Sequence, residues 1–377
     1  MRIVIAPDSF KECLSATQVA EAISAGILKV APETEIISLP FADGGEGTVK
    51  AIVTATGGKI VPTPSVDALN RPIQSFYGIL GDGKTALIEM AAASGIEMIS
   101  PEERNPLITS TFGTGLLLKA AIDAGFTTII LAIGGSATND GGAGMAQALG
   151  FDLQDRNGEP IGQGGGSLAD LHSINYWHVH PLLSTVKITV ASDVRNPLLG
   201  ISGASLVYGP QKGATPEMVE TLEINMTHFA ILLQQEFGAN FAEIPGSGAA
   251  GGLGFGLLAF CKAEMVSGFE LINQLTHLEE QIGQASLVFT GEGKIDEQTA
   301  FGKTISGVAK LAKKYKVPVI ALAGKLEGSF TELHNQGVSS VFSIADRPMS
   351  MEESKNRAAE LLAGTTEQIM RMLKIIS

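Results

Sequence analysis

The sequence predicts an α/β protein in which a mixed α/β domain is inserted into a discontinuous first domain. Three observations lead to this prediction. Short apolar segments alternate with amphipathic helical segments at both ends of the chain. Residues 59–89 instead hold β-compatible runs that turn residues interrupt. Because the regular βα rhythm returns near residue 285, we place the first domain at residues 1–58 plus 285–377 and the inserted domain at residues 59–284.

The N-terminal elements follow from hydrophobic periodicity and from residues that begin or end helices. Strands are predicted at residues 3–6 and 36–40. Ser15 is a typical N-cap residue and precedes an amphipathic helix at residues 16–30. A loop rich in glycine, residues 42–47, follows the second strand and leads into a short helix.

The inserted part begins with predicted antiparallel structure, because turn signals at residues 70–72 and 81–83 separate its β-compatible runs. The later elements, in chain order, are a helix at 116–124, strands at 128–133 and 187–191, helices at 216–237 and 252–262, a strand at 286–290, a helix at 302–315, strands at 317–323 and 339–343, and a helix at 351–373.

Composition restricts the classes of function. The 377 residues carry a formal net charge of −13, which argues against nucleic acid as a partner because binding its backbone requires a basic excess. No apolar run approaches the roughly 18–20 residues of a membrane span, so we expect no membrane partner. Cys13 and Cys261 are the two cysteines, and their wide separation fits a reducing, cytoplasmic location.

Residues 78–85 match the P-loop pattern letter for letter. That loop binds phosphate only between a strand and a helix. Gly81-Asp82-Gly83 between two β-compatible runs is instead a strong hairpin signal, so we predict a hairpin with Lys84 in a solvated turn. A P-loop NTPase is kept as an alternative.

Residues 246–251 match the dinucleotide-binding pattern G-x-G-x-x-G. The match is isolated and lies deep in the chain rather than in a first βαβ unit, so it is weak. We expect a loop that enters a helix, where the small residues serve either ligand binding or close packing. A nicotinamide-dependent oxidoreductase is the corresponding alternative.

Polar and acidic loops follow five predicted strands. The first strand is followed by Asp8, Ser9 and Lys11, and the second by Asp43 and Glu46. The strand at 128–133 is followed by Asn139 and Asp140, and the strand at 187–191 by Asp193. The strand at 286–290 is followed by Glu292, Lys294 and Asp296. A single aspartate after a strand is more often a helix cap than a catalyst. Ligands of open α/β sheets bind at the carboxyl ends of strands, so five such loops favour a common ligand site.

Phosphoryl transfer fits these loops. It requires carboxylates that hold a metal ion, donors around the phosphates and a group that accepts the hydroxyl proton. Aspartates can hold the metal ion and accept the hydroxyl proton. Backbone N–H groups together with Lys11, Lys212 or Lys294 can donate to the phosphates. The histidines have no metal-ligand spacing, and no serine lies in a nucleophile-elbow pattern, so a serine hydrolase is not expected.

The chain resembles the bacterial glycerate kinase family, of the glycerate 2-kinase type, nearly from end to end. The matching segments are residues 6–11, 42–48, 89–95, 134–142, 193–194, 196–198, 209–214, 248–254 and 290–293, together with Asp296. Matches of this length in the same order are highly specific.

The resemblance implies ATP-dependent phosphorylation of D-glycerate with Mg²⁺, and it favours 2-phosphoglycerate over 3-phosphoglycerate as the product. It also implies two α/β domains, one Rossmann-like and discontinuous and the other a mixed α/β domain inserted into it, with the active site in the cleft between them. A homo-oligomer is left open. A sugar-acid-binding protein without catalytic activity is a further alternative.

Our hypothesis makes Asp193 the base that orients and deprotonates the hydroxyl group, since Asn196-Pro197 stiffens the loop that follows it. The candidate catalytic residues are Asp193, Asp8, Lys11 and Asp296. The candidate residues for substrate or phosphate are Ser9, Asp43, Gly44, Gly45, Arg71, Gly135, Ser136, Asn139, Asp140, Lys212 and Glu292, and the candidate Mg²⁺ ligands are Asp43, Asp193 and Asp296.

Overall fold

The computed structural model describes residues 1–10, 13–41, 47–300 and 304–376 and confirms the α/β class. The chain forms two compact units, Met1–Asp43 with Phe269–Ser377, and Gly44–Gly268. We call them unit 1 and unit 2. The domain limits that we predicted at residues 58 and 285 stay a prediction; the compact units divide the chain at other residues.

The secondary structure alternates along most of the chain. The strands are β1 (Arg2–Ile5), β2 (Glu35–Ser38), β3 (Lys59–Val66), β4 (Pro72–Ile79), β5 (Thr85–Glu89), β6 (Thr128–Ala132), β7 (Asp152–Gln154), β8 (Ser173–Asn175), β9 (Lys187–Ala191), β10 (Glu264–Val266), β11 (Leu287–Ile295), β12 (Val319–Leu326) and β13 (Ser340–Ser343). The helices are α1 (Ala16–Val30), α2 (Thr48–Thr56), α3 (Ala91–Ser94), α4 (Phe112–Asp123), α5 (Ala143–Ala148), α6 (Ala204–Tyr208), α7 (Pro216–Phe237), α8 (Ala249–Cys261), α9 (Gly268–Thr276), α10 (Leu278–Gly283), α11 (Thr304–Tyr315), α12 (Thr331–Gln336), α13 (Met351–Asn356) and α14 (Ala358–Ile376). None of the helices in the described part of the chain combines the length and the apolar character that a membrane crossing requires.

Unit 1 contains a parallel sheet with the strand order β13-β12-β11-β1-β2. Its core includes Ile3, Ile5, Phe289 and Leu322. Within the unit the strands thus follow the order 2-1-3-4-5, and the direction of winding reverses between β1 and β11. In doubly wound sheets, ligands bind at the carboxyl ends of the strands on either side of that reversal. The preferred ligand position of unit 1 therefore lies beyond Ile5, the last residue of β1, and next to the second half of β11.

Unit 2 contains a six-stranded sheet with the order β10-β9-β6-β5-β4-β3. The first four strands are parallel, whereas β4 and β3 run antiparallel to their neighbours. Helices α4, α5, α7 and α8 contribute buried side chains such as Leu117, Met145 and Phe229 to its core. Because β5, β6, β9 and β10 share one direction, the loops after them lie along a single edge of the sheet.

Several predicted boundaries are wrong. The helix predicted at residues 116–124 is Phe112–Asp123, and the strand predicted at residues 317–323 is Val319–Leu326. We predicted a loop directly after residue 290, but β11 continues to Ile295 because its second half pairs with β12, with Glu292 opposite Ala323. The helix predicted at residues 351–373 is two helices, α13 and α14, which Arg357 separates. The predicted start of the helix at residue 302 lies outside the described residues.

The hairpin predicted at residues 78–85 is confirmed. Strands β4 and β5 pair antiparallel, and the turn between them is held by Asp82. Its Oδ1 accepts hydrogen bonds from the backbone N–H groups of Lys84 (2.8 Å) and Thr85 (2.9 Å), and its Oδ2 accepts one from the Thr85 hydroxyl (2.7 Å). Since a strand and not a helix follows the turn, the geometry that a P-loop requires is absent here.

Candidate active site

In unit 2 the polar residues gather at the edge where β5, β6, β9 and β10 end. Glu89 is the last residue of β5, the 134–144 loop follows β6, Asp193 lies two residues beyond β9, and Ser267 follows β10 directly. Our sequence reasoning identified the 134–144 loop and Asp193 but missed Glu89 and Ser267.

Asp193 is half-buried and held by residues from the neighbouring strand end. Its Oδ1 accepts hydrogen bonds from the Ser267 hydroxyl (2.9 Å) and from the backbone N–H of Gly268 (3.0 Å). The segment after it is also fixed, because Asn196 donates to the carbonyl of Ser202 (2.7 Å) and accepts from the Tyr208 hydroxyl (2.9 Å). The carboxylate therefore has a defined orientation, as a group that orients a substrate hydroxyl requires.

Asp140 is fully buried within the 134–144 loop. Its Oδ2 accepts hydrogen bonds from the backbone N–H groups of Thr111 (2.8 Å) and Gly144 (3.3 Å), and its Oδ1 accepts one from that of Gly142 (3.1 Å). Burial raises the pKa of the Asp140 carboxyl, and the bonds from Thr111 oppose that rise. These contacts favour a role in holding the loop, and they already engage N–H groups that we expected to hold an anion.

Lys212 is 2% exposed and reaches the same loop from a short turn at Pro210–Lys212. Its Nζ donates to the carbonyl of Thr138 (2.6 Å) and to the hydroxyl of Ser136 (3.3 Å). Burial lowers the pKa of the Lys212 ammonium group to about 7, although the charge of Asp140 acts in the opposite direction. Lys212 thus anchors the loop from inside unit 2.

This burial predicts a pH dependence of stability. The pKa of Lys212 is about 7 in the folded chain and 10.5 for an ordinary lysine, so between these pH values the unfolded state binds more protons and stability rises with pH. Urea unfolding of the wild type and of Lys212→Met at pH 7 and pH 9 measures the difference, in which other titrating groups cancel. We expect the wild type to gain stability relative to the variant at pH 9. Parallel pH profiles would contradict the buried position.

The remaining predicted residues of the 134–144 loop lie close to Lys212. The Ser136 hydroxyl accepts a hydrogen bond from the Thr138 N–H (3.1 Å) and donates to the carbonyl of Ala250 (3.2 Å). Asn139 is buried and donates to the Ser205 hydroxyl (3.0 Å), while its Oδ1 has no hydrogen-bond partner in the described part of the chain. The structure therefore brings together five predicted residues, namely Gly135, Ser136, Asn139, Asp140 and Lys212.

The G-x-G-x-x-G segment packs against this loop, and it lacks the strand that a dinucleotide site requires. Residues 250–252 interrupt α8 with left-handed backbone angles. A Cβ on Gly251 would lie 1.9 Å from the carbonyl oxygen of Thr138, and Gly251 itself accepts a hydrogen bond from the Gly141 N–H (3.1 Å). Here glycine permits two backbone segments to approach, which is the packing alternative rather than the nucleotide alternative.

Arg71, predicted as a weaker ligand for a substrate carboxylate, is paired within the fold. Its Nε lies 2.5 Å from Asp67 Oδ2, and its Nη1 lies 2.7 Å from Glu103 Oε1. The hydrogen bond that Arg71 donates to Asp67, followed by the one to Glu103, raises the pKa of the guanidinium group. Two carboxylates already neutralise this cation, so its role as an anion ligand stays a prediction that these contacts do not favour.

In unit 1 the predicted residues lie at the reversal between β1 and β11. Asp8 follows β1, and its N–H donates to the carbonyl of Gly291 in β11 (2.8 Å). Asp8 Oδ1 accepts the N–H of Ser9 (2.6 Å), and Oδ2 accepts the hydroxyl of Thr304 at the start of α11 (3.0 Å). Glu292 Oε1 accepts the hydroxyl of Thr299 (2.6 Å). Asp8, Ser9 and Glu292 therefore occupy the ligand position that the strand order indicates.

Asp296 lies just beyond the end of β11. Its Oδ2 is 2.8 Å from Lys294 Nζ, which also lies 3.1 Å from Glu327 Oε2. The bond to Asp296 raises the pKa of the Lys294 ammonium group. These ion pairs are partly exposed, so we expect each to contribute little to stability.

Carboxylate oxygens suit Mg²⁺, which is commonly held by one or two carboxylates together with phosphate and water oxygens. Asp193 and Asp296 each carry such oxygens, and each is half-buried within its own unit. No group of three or more His, Cys, Asp or Glu side chains suited to a metal ion occurs within the described residues. Lys11, Asp43, Gly44, Gly45 and Glu46 lie outside those residues.

Glu89 is a residue that sequence reasoning missed. It is 1% exposed, and its two carboxylate oxygens accept the backbone N–H groups of Gly47 and Val49 (3.0 Å each) at the start of α2. It therefore fixes the chain directly after the 42–47 loop. The available signal was a glutamate at the end of a strand that is otherwise apolar, because a buried carboxylate requires partners.

Comparison with known proteins shows the family of the chain. The model of the glycerate kinase family matches residues 3–374. The chain is 48% identical to a glycerate kinase of Bacillus subtilis and 46% identical to a glycerate 2-kinase of Escherichia coli, in each case over 100% of this chain and 98% of the relative. A crystal structure of a Salmonella typhimurium protein assigned as a glycerate kinase 2 superimposes with a TM-score of 0.86 at 47% identity, over 100% of this chain and 98% of that one. The resemblance seen in the sequence is confirmed, and the chain belongs to the glycerate kinase family.

Proposed function

We propose that this protein transfers the terminal phosphoryl group of ATP to the 2-hydroxyl group of D-glycerate. Identities of 48% and 50% with two proteins named glycerate kinase, each over the whole of this chain, carry the proposal. The Escherichia coli relative named glycerate 2-kinase favours the 2-position. We also propose a cytoplasmic location, since two cysteines distant in sequence fit a reducing compartment.

Asp193 is the base in this proposal. It accepts the proton of the attacking hydroxyl group while the new oxygen–phosphorus bond forms and the bond between phosphorus and the departing ADP oxygen breaks. Its fixed orientation at the carboxyl end of β9 supports the role. Asp8, Asp296 and Lys11 are the other candidate catalytic residues, and Asp8 and Asp296 compete with Asp193 for the role of base.

The 134–144 loop contributes substrate contacts in the proposal. Gly135, Ser136 and Asn139 bind an anionic group of substrate or nucleotide, and the buried Asp140 and Lys212 hold the loop in position. The further proposed binding residues are Ser9, Asp43, Gly44, Gly45 and Glu292. Mg²⁺ would be held by Asp43, Asp193 and Asp296, and when bound it offsets the charge of the phosphates.

Release of ADP tests the proposal. The purified protein with ATP and D-glycerate is expected to release ADP in a coupled assay, and EDTA is expected to stop the release because Mg²⁺ is removed. No ADP release with D-glycerate would contradict the proposal. Binding of D-glycerate without ADP release would instead favour the sugar-acid-binding alternative.

Lys84→Ala separates the proposal from a P-loop NTPase. Lys84 is exposed in the β4–β5 turn, so its removal is expected to leave kcat and the KM for ATP within about twofold of the wild type, as for most surface substitutions. Steady-state kinetics with ATP as the varied substrate measure both values. Loss of ATP use in this variant would favour the P-loop alternative.

A further inference from the structure

Strands β9 and β10 end side by side, and their register determines which residues meet beyond them. Ala191 lies opposite Val266 as the last paired residues of the two parallel strands. The N–H of Ser192 then donates to the carbonyl of Val266 (3.0 Å), which continues the pairing by one residue. This register places Asp193 beside Ser267, although 74 positions separate the two residues in the sequence.

Two donors from the β10 side bond the same carboxylate oxygen. The Ser267 hydroxyl lies 2.9 Å from Asp193 Oδ1, and the Gly268 N–H lies 3.0 Å from it. Gly268 directly follows Ser267 in the chain, so one short segment supplies both donors. A carboxylate oxygen offers about two lone-pair positions, and these two donors use both positions of Oδ1.

We infer that Ser267 is a positioning residue for phosphoryl transfer, which fixes the Asp193 carboxylate through Oδ1 and so aligns it to accept the proton of the substrate hydroxyl. The inference rests on the proposed function, because it requires Asp193 to be the base. Ser267 acts through Asp193, by restricting the rotation of its side chain and so fixing the orientation of the carboxylate.

A purely structural role makes a different prediction. If Asp193 only accepts hydrogen bonds at the start of α9, removal of the Ser267 hydroxyl changes stability and leaves the turnover of the folded enzyme unaltered. Kinetics of the folded protein therefore distinguish the two roles, and a double-mutant cycle with Asp193 shows whether Ser267 acts through that carboxylate.

The experiment compares Ser267→Ala, Ser267→Thr, Asp193→Asn and the double variant Ser267→Ala/Asp193→Asn in the full-length protein. A hydrogen bond to a charged group supports a loss of about 10-fold, so we expect Ser267→Ala to lower kcat about 10-fold with both KM values within about twofold. Ser267→Thr keeps the hydroxyl group and is expected to restore most of kcat. In the Asp193→Asn background, Ser267→Ala is expected to change kcat by less than about twofold.

Thr276→Ala is the matched control. It removes a hydroxyl group at the end of α9, the helix that follows Ser267, where the hydroxyl donates to the carbonyl of Ile272 in the same helix (2.7 Å). The inference is overturned if Ser267→Ala keeps the wild-type kcat, changes only a KM, or lowers kcat equally with and without Asp193. Failure of the proposed function is read separately, because the wild type would then release no ADP with D-glycerate. Normal turnover in Asp193→Asn would instead show that Asp193 is not the base and so overturn the inference.

Discussion

Replacing Asp193 by asparagine is expected to lower kcat at least about 100-fold, because general base catalysis by a positioned side chain contributes on the order of 10²–10⁴. Asparagine keeps the shape and can still accept the bonds from Ser267 and Gly268, but it cannot take up the hydroxyl proton. Steady-state kinetics with D-glycerate and ATP measure the change, and the thermal unfolding midpoint shows whether the fold is kept.

Asp170→Asn is the matched control for this variant, since it removes an exposed carboxylate from the same unit. We expect it to retain kcat within about twofold. If Asp193→Asn retains more than about one tenth of the wild-type kcat, Asp193 is not the base. Asp8→Asn and Asp296→Asn in the same assay would then identify which of the two remaining carboxylates is.

Replacing Asp140 by alanine is expected to destabilise the protein by about 3 kcal/mol or more, because each buried donor left without an acceptor costs about 1–3 kcal/mol. The change leaves the buried N–H groups of Thr111, Gly142 and Gly144 without their acceptor and removes the negative charge near Lys212. Urea unfolding followed by circular dichroism measures the loss, and a reduced yield of soluble protein accompanies it.

Asp155→Ala is the comparison that isolates burial. Asp155 also accepts backbone N–H groups within a loop, from Asn157 (2.8 Å) and Glu159 (2.9 Å), but it does so in a surface turn. Water can replace it there, so the expected loss of stability is much smaller than that of Asp140→Ala. Equal stability losses in the two variants would show that Asp140 is not enclosed as the structure places it.

The sequence was informative about the fold wherever apolar periodicity was strong. The helix at Ala16–Val30 and the strand at Lys187–Ala191 have the predicted bounds. The extension of β11 was missed because Gly291 and Gly293 resemble loop residues. In the structure, a Cβ on Gly291 would lie 2.3 Å from the carbonyl oxygen of Leu322 in β12, so glycine reflects a close strand neighbour and not a turn. The sequence around Gly291 does not show that β12 is the neighbouring strand.

The site shows the same limit. Asp193 was predictable from its place after a buried strand, whereas Ser267 required the register of β9 against β10. The sequence predicts that backbone N–H groups surround the phosphates, but in the 134–144 loop the N–H groups of Gly142 and Gly144 bond the carboxylate of Asp140. A cluster of glycines in a sequence indicates that the backbone comes close to another group, and only the folded structure shows which group that is.

Phosphorus NMR of the product formed from ATP and D-glycerate tests the proposed activity most directly. Coupling of the phosphorus nucleus to the single proton on carbon 2 identifies 2-phosphoglycerate, which is the result that we expect. Coupling to the two protons on carbon 3 would place the phosphate on the other hydroxyl group and contradict the proposed regiochemistry. A spectrum without any phosphoglycerate would contradict the proposed kinase activity itself.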